Sequence, residues 1–425
     1  MEGVVEAAEK AQVIINKEAA DDPQLKETLK IVRRFIETHP VICYGGTAIN
    51  NLLPKKDQFY DPKIDIPDYD FFSKTPQIHS AKIADRLASA GNQSVEVKPG
   101  VHLGTYKVFA DFIGVADVSF MDSVIFDKVW KDSVIIDNIH YAPPNYLRMA
   151  VYLELSRPKG FVERWKKVYS RLQLLNKHYP MTCPEKVETE SGVIISADIR
   201  KQVQDAIVKN ELVLLGFNAS MLQSGENKQW MLPLDVLCIP EDREKVSKIF
   251  QDIFEDSVQK EYPAYGELLP PHTDIDNSKA KNTFVRIYES QACHSYHQLK
   301  NKLRVASIPT ILQFFLSVQY ASKHFTEDIP EQRFLCTAEH LINIANDSGE
   351  KRRNKILTPI SCIGKQKTLL DMRVEKTELW EKVKDNKNSR EFLEYFFMYN
   401  PIGKSKTERN QVRSQLKKTL KNRQR

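Results

Sequence analysis

Val41-Ile42-Cys43-Tyr44-Gly45-Gly46-Thr47-Ala48-Ile49-Asn50 is followed, about 25 residues after its glycines, by Asp68-Tyr69-Asp70-Phe71-Phe72. The first segment reads as a short apolar strand that breaks at Gly45-Gly46 and turns into a short helix, ended by Pro54. Glycines allow close backbone approach, and a helix N-terminus offers N–H groups to a phosphate. Thr47 adds a hydroxyl. The second segment reads as an aromatic-rich strand. Side chains at i and i+2 share a face, so Asp68 and Asp70 stand side by side as hard oxygen ligands. Such a pair in an apolar strand needs compensating charge, which divalent cations supply. An isolated Asp-x-Asp is more often an exposed turn, and an isolated Gly-Gly a plain bend. Their order and spacing raise both above that level.

Outward from this centre, Pro23 to His39 carries Leu25, Leu29, Val32, Phe35 and Ile36 at helical spacing, with Asp22 as cap and Pro40 as stop. A helix is predicted from Thr75-Pro76 to about Ala90. Strands are predicted over Tyr106–Phe112 and Ala116–Phe120, joined as a hairpin by Ile113-Gly114-Val115. A third carboxylate on a strand beside Asp70 completes a two-metal site. Asp117 is the first candidate and Asp111 its rival. From Pro143 to Tyr179 the chain turns helical and basic, divided at Pro158 and Gly160. Residues 181–196 read as a linker.

The second half repeats the order. Glu211–Leu215 is a strand ending at Gly216, Asn218–Leu222 is short and helical, and Leu234-Asp235-Val236-Leu237-Cys238 is a strand before Pro240 and a helix. Aligning Asp235 with Asp70 sets Pro233 where Asp68 stands and Phe217 where Gly46 stands. The repeat keeps the fold and loses the chemistry.

The chain has 425 residues, 41% hydrophobic and 28% charged, which suits two or three globular domains. No apolar run reaches the ~20 residues of a membrane span, and the N-terminus lacks a secretion-signal layout. Six scattered cysteines read as reduced thiols. Cys293-His294-Ser295-Tyr296-His297 has ligand-type residues but no second knuckle, so packing is favoured over a zinc site. Of the net charge of +6, the last 25 residues hold +8, nine basic residues against one acidic, leaving −2 for the rest. That suits a polyanion such as RNA; the plain alternative is a frayed, solvated end.

With Gly45-Gly46-Thr47, Asp68-x-Asp70 and Asp117-Val118-Ser119 in this order, the chain resembles the nucleotidyltransferases of the DNA polymerase β-like superfamily. The stretches Tyr146-Leu147-Arg148-Met149 and Tyr152-Leu153-Glu154-Leu155-Ser156-Arg157-Pro158 look like the poly(A) polymerase catalytic subunits of poxviruses and giant viruses. The resemblance covers roughly residues 25–400. It implies an α+β fold in which a polymerase β-like catalytic module is followed by a degenerate one: residues 1–180, then 190–400, then a basic tail at 401–425. It further implies addition of AMP from ATP to RNA 3′ ends with two Mg²⁺ or Mn²⁺ ions. Asp68 and Asp70 would bridge both, with Asp117 on the ion nearest the hydroxyl. Gly45, Gly46 and Thr47 would hold the β- and γ-phosphates. Arg148, Arg157, Lys159, Arg164 and Lys167 are the candidates for RNA contact, a solvated helix face being the alternative. Partners would include a homodimer mate or a viral processivity subunit, and the location the virion and host cytoplasm. Two other functions remain: nucleotidyl transfer to a small molecule or protein, and a non-catalytic RNA-binding scaffold.

Overall fold

A computed structural model describes residues 2–61, 65–67, 69–183, 192–225, 229–280, 282–321, 325, 329–347 and 359–420. The chain divides into two compact units, residues 1–143 with 369–425, and residues 144–368.

The first unit runs α1 (Glu2–Asp21), α2 (Pro23–Thr38), β1 (Ile42–Cys43), α3 (Gly45–Leu52), β2 (Asp70–Ser73), α4 (Pro76–Ser89), β3 (Val95–Pro99), β4 (Thr105–Ala110), β5 (Ile113–Phe120), α5 (Ser123–Lys131), β6 (Val134–Ile136) and β7 (Ile139–Tyr141). The second holds α6 (Pro144–Leu155), α7 (Trp165–His178), α8 (Ala197–Lys209), β8 (Val213–Leu215), α9 (Gly216–Gln223), β9 (Leu234–Cys238), α10 (Arg243–Ile253), β10 (Ser257–Tyr262), β11 (His272–Asn277), β12 (Thr283–Glu289), β13 (His294–Gln298), β14 (Arg304–Ala306), α11 (Ile308–Val318), α12 (Glu331–Asp347) and β15 (Cys362–Ile363). Helices α13 (Leu369–Val383), α14 (Arg390–Phe396) and α15 (Lys406–Leu420) return to the first unit.

Each unit is built on one mixed sheet, of order β3-β4-β5-β2-β1-β7-β6 in the first and β10-β11-β12-β9-β8-β14-β13-β15 in the second. The seven positions correspond one for one, and so does their direction. β1 meets β2 antiparallel and β7 parallel, as β8 meets β9 and β14. β2 meets β5 parallel, as β9 meets β12. The repeat predicted from pattern order is therefore a repeat of topology.

Alternation along β2 separates two faces. Phe71 and Ser73 point to the helix-covered side, where the Phe71 ring lies 6.3 Å from that of Phe35 and the Ser73 hydroxyl is 2.8 Å from His79 Nδ1. Asp70 and Phe72 point to the other. Val32, Phe35 and Ile36, the predicted apolar stripe of α2, are buried on the Phe71 side. Each contributes about 1.5–3 kcal/mol.

Three expectations need correction. The hairpin turns at Asp111-Phe112, with φ of 47° and 69°, rather than at Ile113-Gly114-Val115. An aspartate tolerates that left-handed backbone, and its carboxylate caps the amides of Gln93 and Ser94. Four cysteines are bonded, Cys183 to Cys336 and Cys293 to Cys362, across separations of 153 and 69 residues that spacing alone does not reveal. With Cys293 so engaged, the cysteine–histidine cluster is no zinc knuckle; His294 is buried against the Ser290 hydroxyl, and burial pushes its imidazole down to about 3. The units also divide differently from 1–180, 190–400 and 401–425. The basic helices fall in the second unit, where α6 packs on α11. The C-terminal helices fall in the first, where the Tyr399 backbone bridges to Val97.

Candidate active site

The strand register assembles the site. Asp70 on β2 stands directly opposite Asp117 on the parallel β5, and Asp117 stands opposite Lys107 on β4. Lys107 forms an ion pair with Asp117. Asp111, by contrast, is engaged in its turn and by Gln24. The pairing thus brings Asp117, and not its rival, to Asp70. Asp68 lies outside the described residues. Among the described residues no group of three or more His, Cys, Asp or Glu has metal-holding geometry.

Across the other edge of β2, the Tyr44 amide donates to the Asp70 carbonyl at 3.0 Å. The next residue, Gly45, has φ +71°, and a Cβ on it would stand 3.1 Å from Asp70 Oδ2. Glycine is therefore required twice, for its backbone conformation and for the carboxylate beside it. Helix α3 begins here, and Tyr44 supplies no side-chain cap. Gly46 is half-buried at the opening of the helix. Thr47 is buried, and its carbonyl accepts from Asn51.

Further side chains complete this face. The Tyr44 ring stacks on Phe72 at 3.8 Å, and its hydroxyl meets Ser119 Oγ at 2.9 Å. Ser119 also meets Thr105 Oγ1 at 2.9 Å. Phe72 and Ser119 follow Asp70 and Asp117 by two residues, so they line the same face. The i+2 spacing was the available signal; Tyr44 and Lys107 carried none until pairing was known.

The basic candidates separate. Arg148 is fully buried, and its guanidinium donates to Asn145, to Asn176 and to the Tyr179 carbonyl. It is a packing residue of the second unit, and the expectation of an RNA contact is withdrawn. Arg157 is half-buried, and burial lowers its pKa. Arg164 is exposed and pairs with Glu154 at 3.4 Å. Lys159 and Lys167 are exposed.

In the second unit the same positions hold different chemistry. Asp235 stands opposite Arg286, and Arg286 opposite Asp274. Arg286 is bonded to Asp274 through Nε at 3.1 Å and Nη2 at 3.4 Å, with both side chains buried. Gly216 repeats the φ of +71° and lies even closer to its aspartate, a Cβ there falling 2.1 Å from Asp235 Oδ2. Phe217 is buried between Phe315 and Phe334, with ring centroids at 4.8 and 4.9 Å, and under the Arg333 guanidinium. Burial pushes the Asp235 carboxyl up to about 6, against the pull of Arg286.

Residues 30–160, which contain this site, match the family model described as poly(A) polymerase catalytic subunit. A protein of African swine fever virus (isolate Pig/Kenya/KEN-50/1950), described as "Putative poly(A) polymerase catalytic subunit", is 32% identical over 178 residues. A similarly described protein of Acanthamoeba polyphaga mimivirus is 28% identical over 157. The matches span 40% and 36% of this chain, and only 37% and 26% of those relatives. The crystal structure of the Megavirus polyadenylate synthase superposes with a TM-score of 0.76 at 19% identity, over 98% of this chain and 88% of that one. Residues 30–160 thus match the poly(A) polymerase catalytic subunit family, and the chain shares the fold of the Megavirus polyadenylate synthase.

Proposed function

We propose that the chain is a template-independent polynucleotide adenylyltransferase, which adds AMP from ATP to RNA 3′ ends. The observation that carries this is the register of Asp70 against Asp117 beside the Gly45 turn. Two carboxylates on neighbouring strands, next to an uncapped helix N-terminus, form a phosphoryl-transfer site with its acidic and its phosphate-binding halves in contact.

The residues fit a divalent metal. Asp70 and Asp117 are hard oxygen ligands, and Lys107 already answers their need for positive charge. Asp68, Asp70 and Asp117 would hold Mg²⁺ or Mn²⁺, which when bound would lower the pKa of the attacking hydroxyl and neutralise charge on the phosphates. In the transfer, the primer 3′ oxygen bonds to the α-phosphorus of ATP, the bond to the β-phosphate oxygen breaks, pyrophosphate leaves, and the hydroxyl proton goes to solvent. The backbone at Gly45 and Gly46 and the first turn of α3 face the β- and γ-phosphates. Thr47, being buried, shapes this turn from behind. The half-exposed Tyr44–Phe72 stack offers an aromatic surface on the same face. Lys159 and Lys167 remain candidates for RNA contact, and a homodimer mate or a processivity subunit for partner.

The test is extension of an RNA primer by the full chain with each nucleoside triphosphate in turn, with Mg²⁺ and with Mn²⁺. Long products from ATP are expected. Label transfer from ATP to a small molecule or protein, with no primer extension, would replace this reading. No transfer of any kind would leave the chain a scaffold.

A further inference from the structure

The basic C-terminal segment forms a docked helix. Leu416 and Leu420 of α15 are buried as the helix lies along α4. Arg409 donates to the Asp85 carbonyl at 3.2 Å and to the Ser89 hydroxyl at 3.0 Å, and Arg413 forms an ion pair with Asp85. Tyr399 donates to the same carboxylate at 2.6 Å. These contacts fix α15 against the helical layer of the first unit.

Two cavities follow its flanks. One, of about 1050 Å³, is lined by Arg34 of α2, Lys82 and Arg86 of α4, and Lys404 and Lys406 at the start of α15. Asp85, the one carboxylate in its lining among the described residues, is already engaged by Arg413 and Tyr399. The other, of about 610 Å³, is lined by Lys417, Lys418, Lys82 and Lys74, the last paired with Asp127 at 2.6 Å, and by one carboxylate, Asp122, which also caps the start of α5. Lys82 lines both, so their cations form a basic track along the two flanks of α15. The charges press on one another: burial lowers the Lys82 ammonium, and Lys417, Arg413 and Arg86 lower it further.

Clefts lined mainly by one sign of charge focus a positive field. A helix of 15 residues is about 22 Å long, several phosphates rather than one. The track also lies away from the carboxylates. Helices α2 and α4 cover the sheet face that carries Phe71 and Ser73, and Asp70 points to the opposite face. What binds here is remote from the reacting end.

We infer that the α2–α4–α15 track is an RNA anchor, which holds the phosphodiester backbone of the single-stranded body of the RNA while its 3′ end is at the Asp70 face. The inference rests on the adenylyltransferase reading for its substrate, and it is tested by binding without ATP, so a chain that failed to transfer AMP would still answer it.

The experiment measures affinity of the full chain for single-stranded RNAs of about 4 and about 16 nucleotides, the range of single-strand site sizes, across a salt series. The variant is Arg34→Gln/Lys404→Gln/Lys406→Gln, which touches none of the α15–α4 contacts above. Each phosphate contact contributes about 0.7 to the salt slope on single strands. Losing three should flatten the slope for the longer RNA by about 2 and weaken it about tenfold at low salt. The shorter RNA and one-step addition to it should be unchanged. In the native chain, the longer RNA should shield Lys404 and Lys406 from acetylation, a readout that needs no variant. An unchanged slope with unshielded lysines overturns the proposal. So does an equal loss in Lys131→Gln/Lys201→Gln/Lys248→Gln, which would mean diffuse surface charge. Displacement of the longer RNA by inorganic tripolyphosphate as readily as by RNA would mean a small-anion pocket instead.

Discussion

Lys107, Asp117 and Asp70 in the first sheet occupy the places that Asp274, Arg286 and Asp235 occupy in the second. The frame is one, and the ion pair across the central strands is reversed. In the first unit the carboxylate is on the strand beside Asp70, so two negative groups converge and the lysine answers from the rim. In the second an arginine stands there, neutralises its neighbours and leaves nothing for a cation. The turns diverge in the same sense. Gly45-Gly46 leaves the helix start open, whereas Phe217 fills it and is buried among rings. What persists in both is the glycine of φ +71° against its aspartate. That pair belongs to the fold; the rest of the constellation belongs to the chemistry.

The comparison can be broken most directly at Asp70. Asp70→Asn keeps the shape and removes a ligand, and loss of several kcal/mol of charge stabilisation corresponds to about 1,000-fold or more in single-turnover AMP addition. A rate within tenfold of native would show that the site is elsewhere. Second in size is Arg286→Met, which leaves Asp274 buried without its cation. It should cost about 3–5 kcal/mol in urea unfolding, and a cost below about 1 kcal/mol would mean that the reversed pair is not what holds the second sheet. The half-exposed Lys107 gives the contrast: Lys107→Met should cost no more than about 1 kcal/mol while slowing AMP addition.

The smallest effect is expected at Asp235. Its folded pKa of about 6 lies above its unfolded 3.8, so the folded state binds the extra proton. The native chain therefore loses stability as pH rises from about 4 to about 6, and Asp235→Asn does not. Melting curves should show the difference moving in the variant's favour across that window and staying flat above it, with AMP addition within a few-fold of native. A gap that moves the other way would mean that Asp235 is ionised and stabilising.

How far the sequence led depended on whether a feature is local. The glycine turn, the aspartate strand and the echo at Gly216 and Asp235 are local, and they were legible. Choosing Asp117 over Asp111 needed the strand pairing, as did every statement about Lys107 and Arg286, since facing residues belong to segments far apart in the chain. Arg148 misled because a basic residue in an amphipathic helix ordinarily faces water; here Asn145, Asn176 and the Tyr179 carbonyl receive it inside. The C-terminal helix hid for the opposite reason. Only Leu416 and Leu420, four residues apart in a basic stretch, mark its buried side.

The central claim is that the carboxylate at position 117, opposite Asp70, separates a working module from its structural twin. Exchanging the ion pair tests it, with Lys107→Asp and Asp117→Arg made together so that the first sheet carries the arrangement of the second. The measurement is incorporation of AMP from labelled ATP into an RNA primer in a single turnover, alongside melting temperature and RNA affinity. The doubly substituted chain should fold and bind RNA as the native chain does and incorporate no label. Incorporation within tenfold of native by that chain would contradict the account.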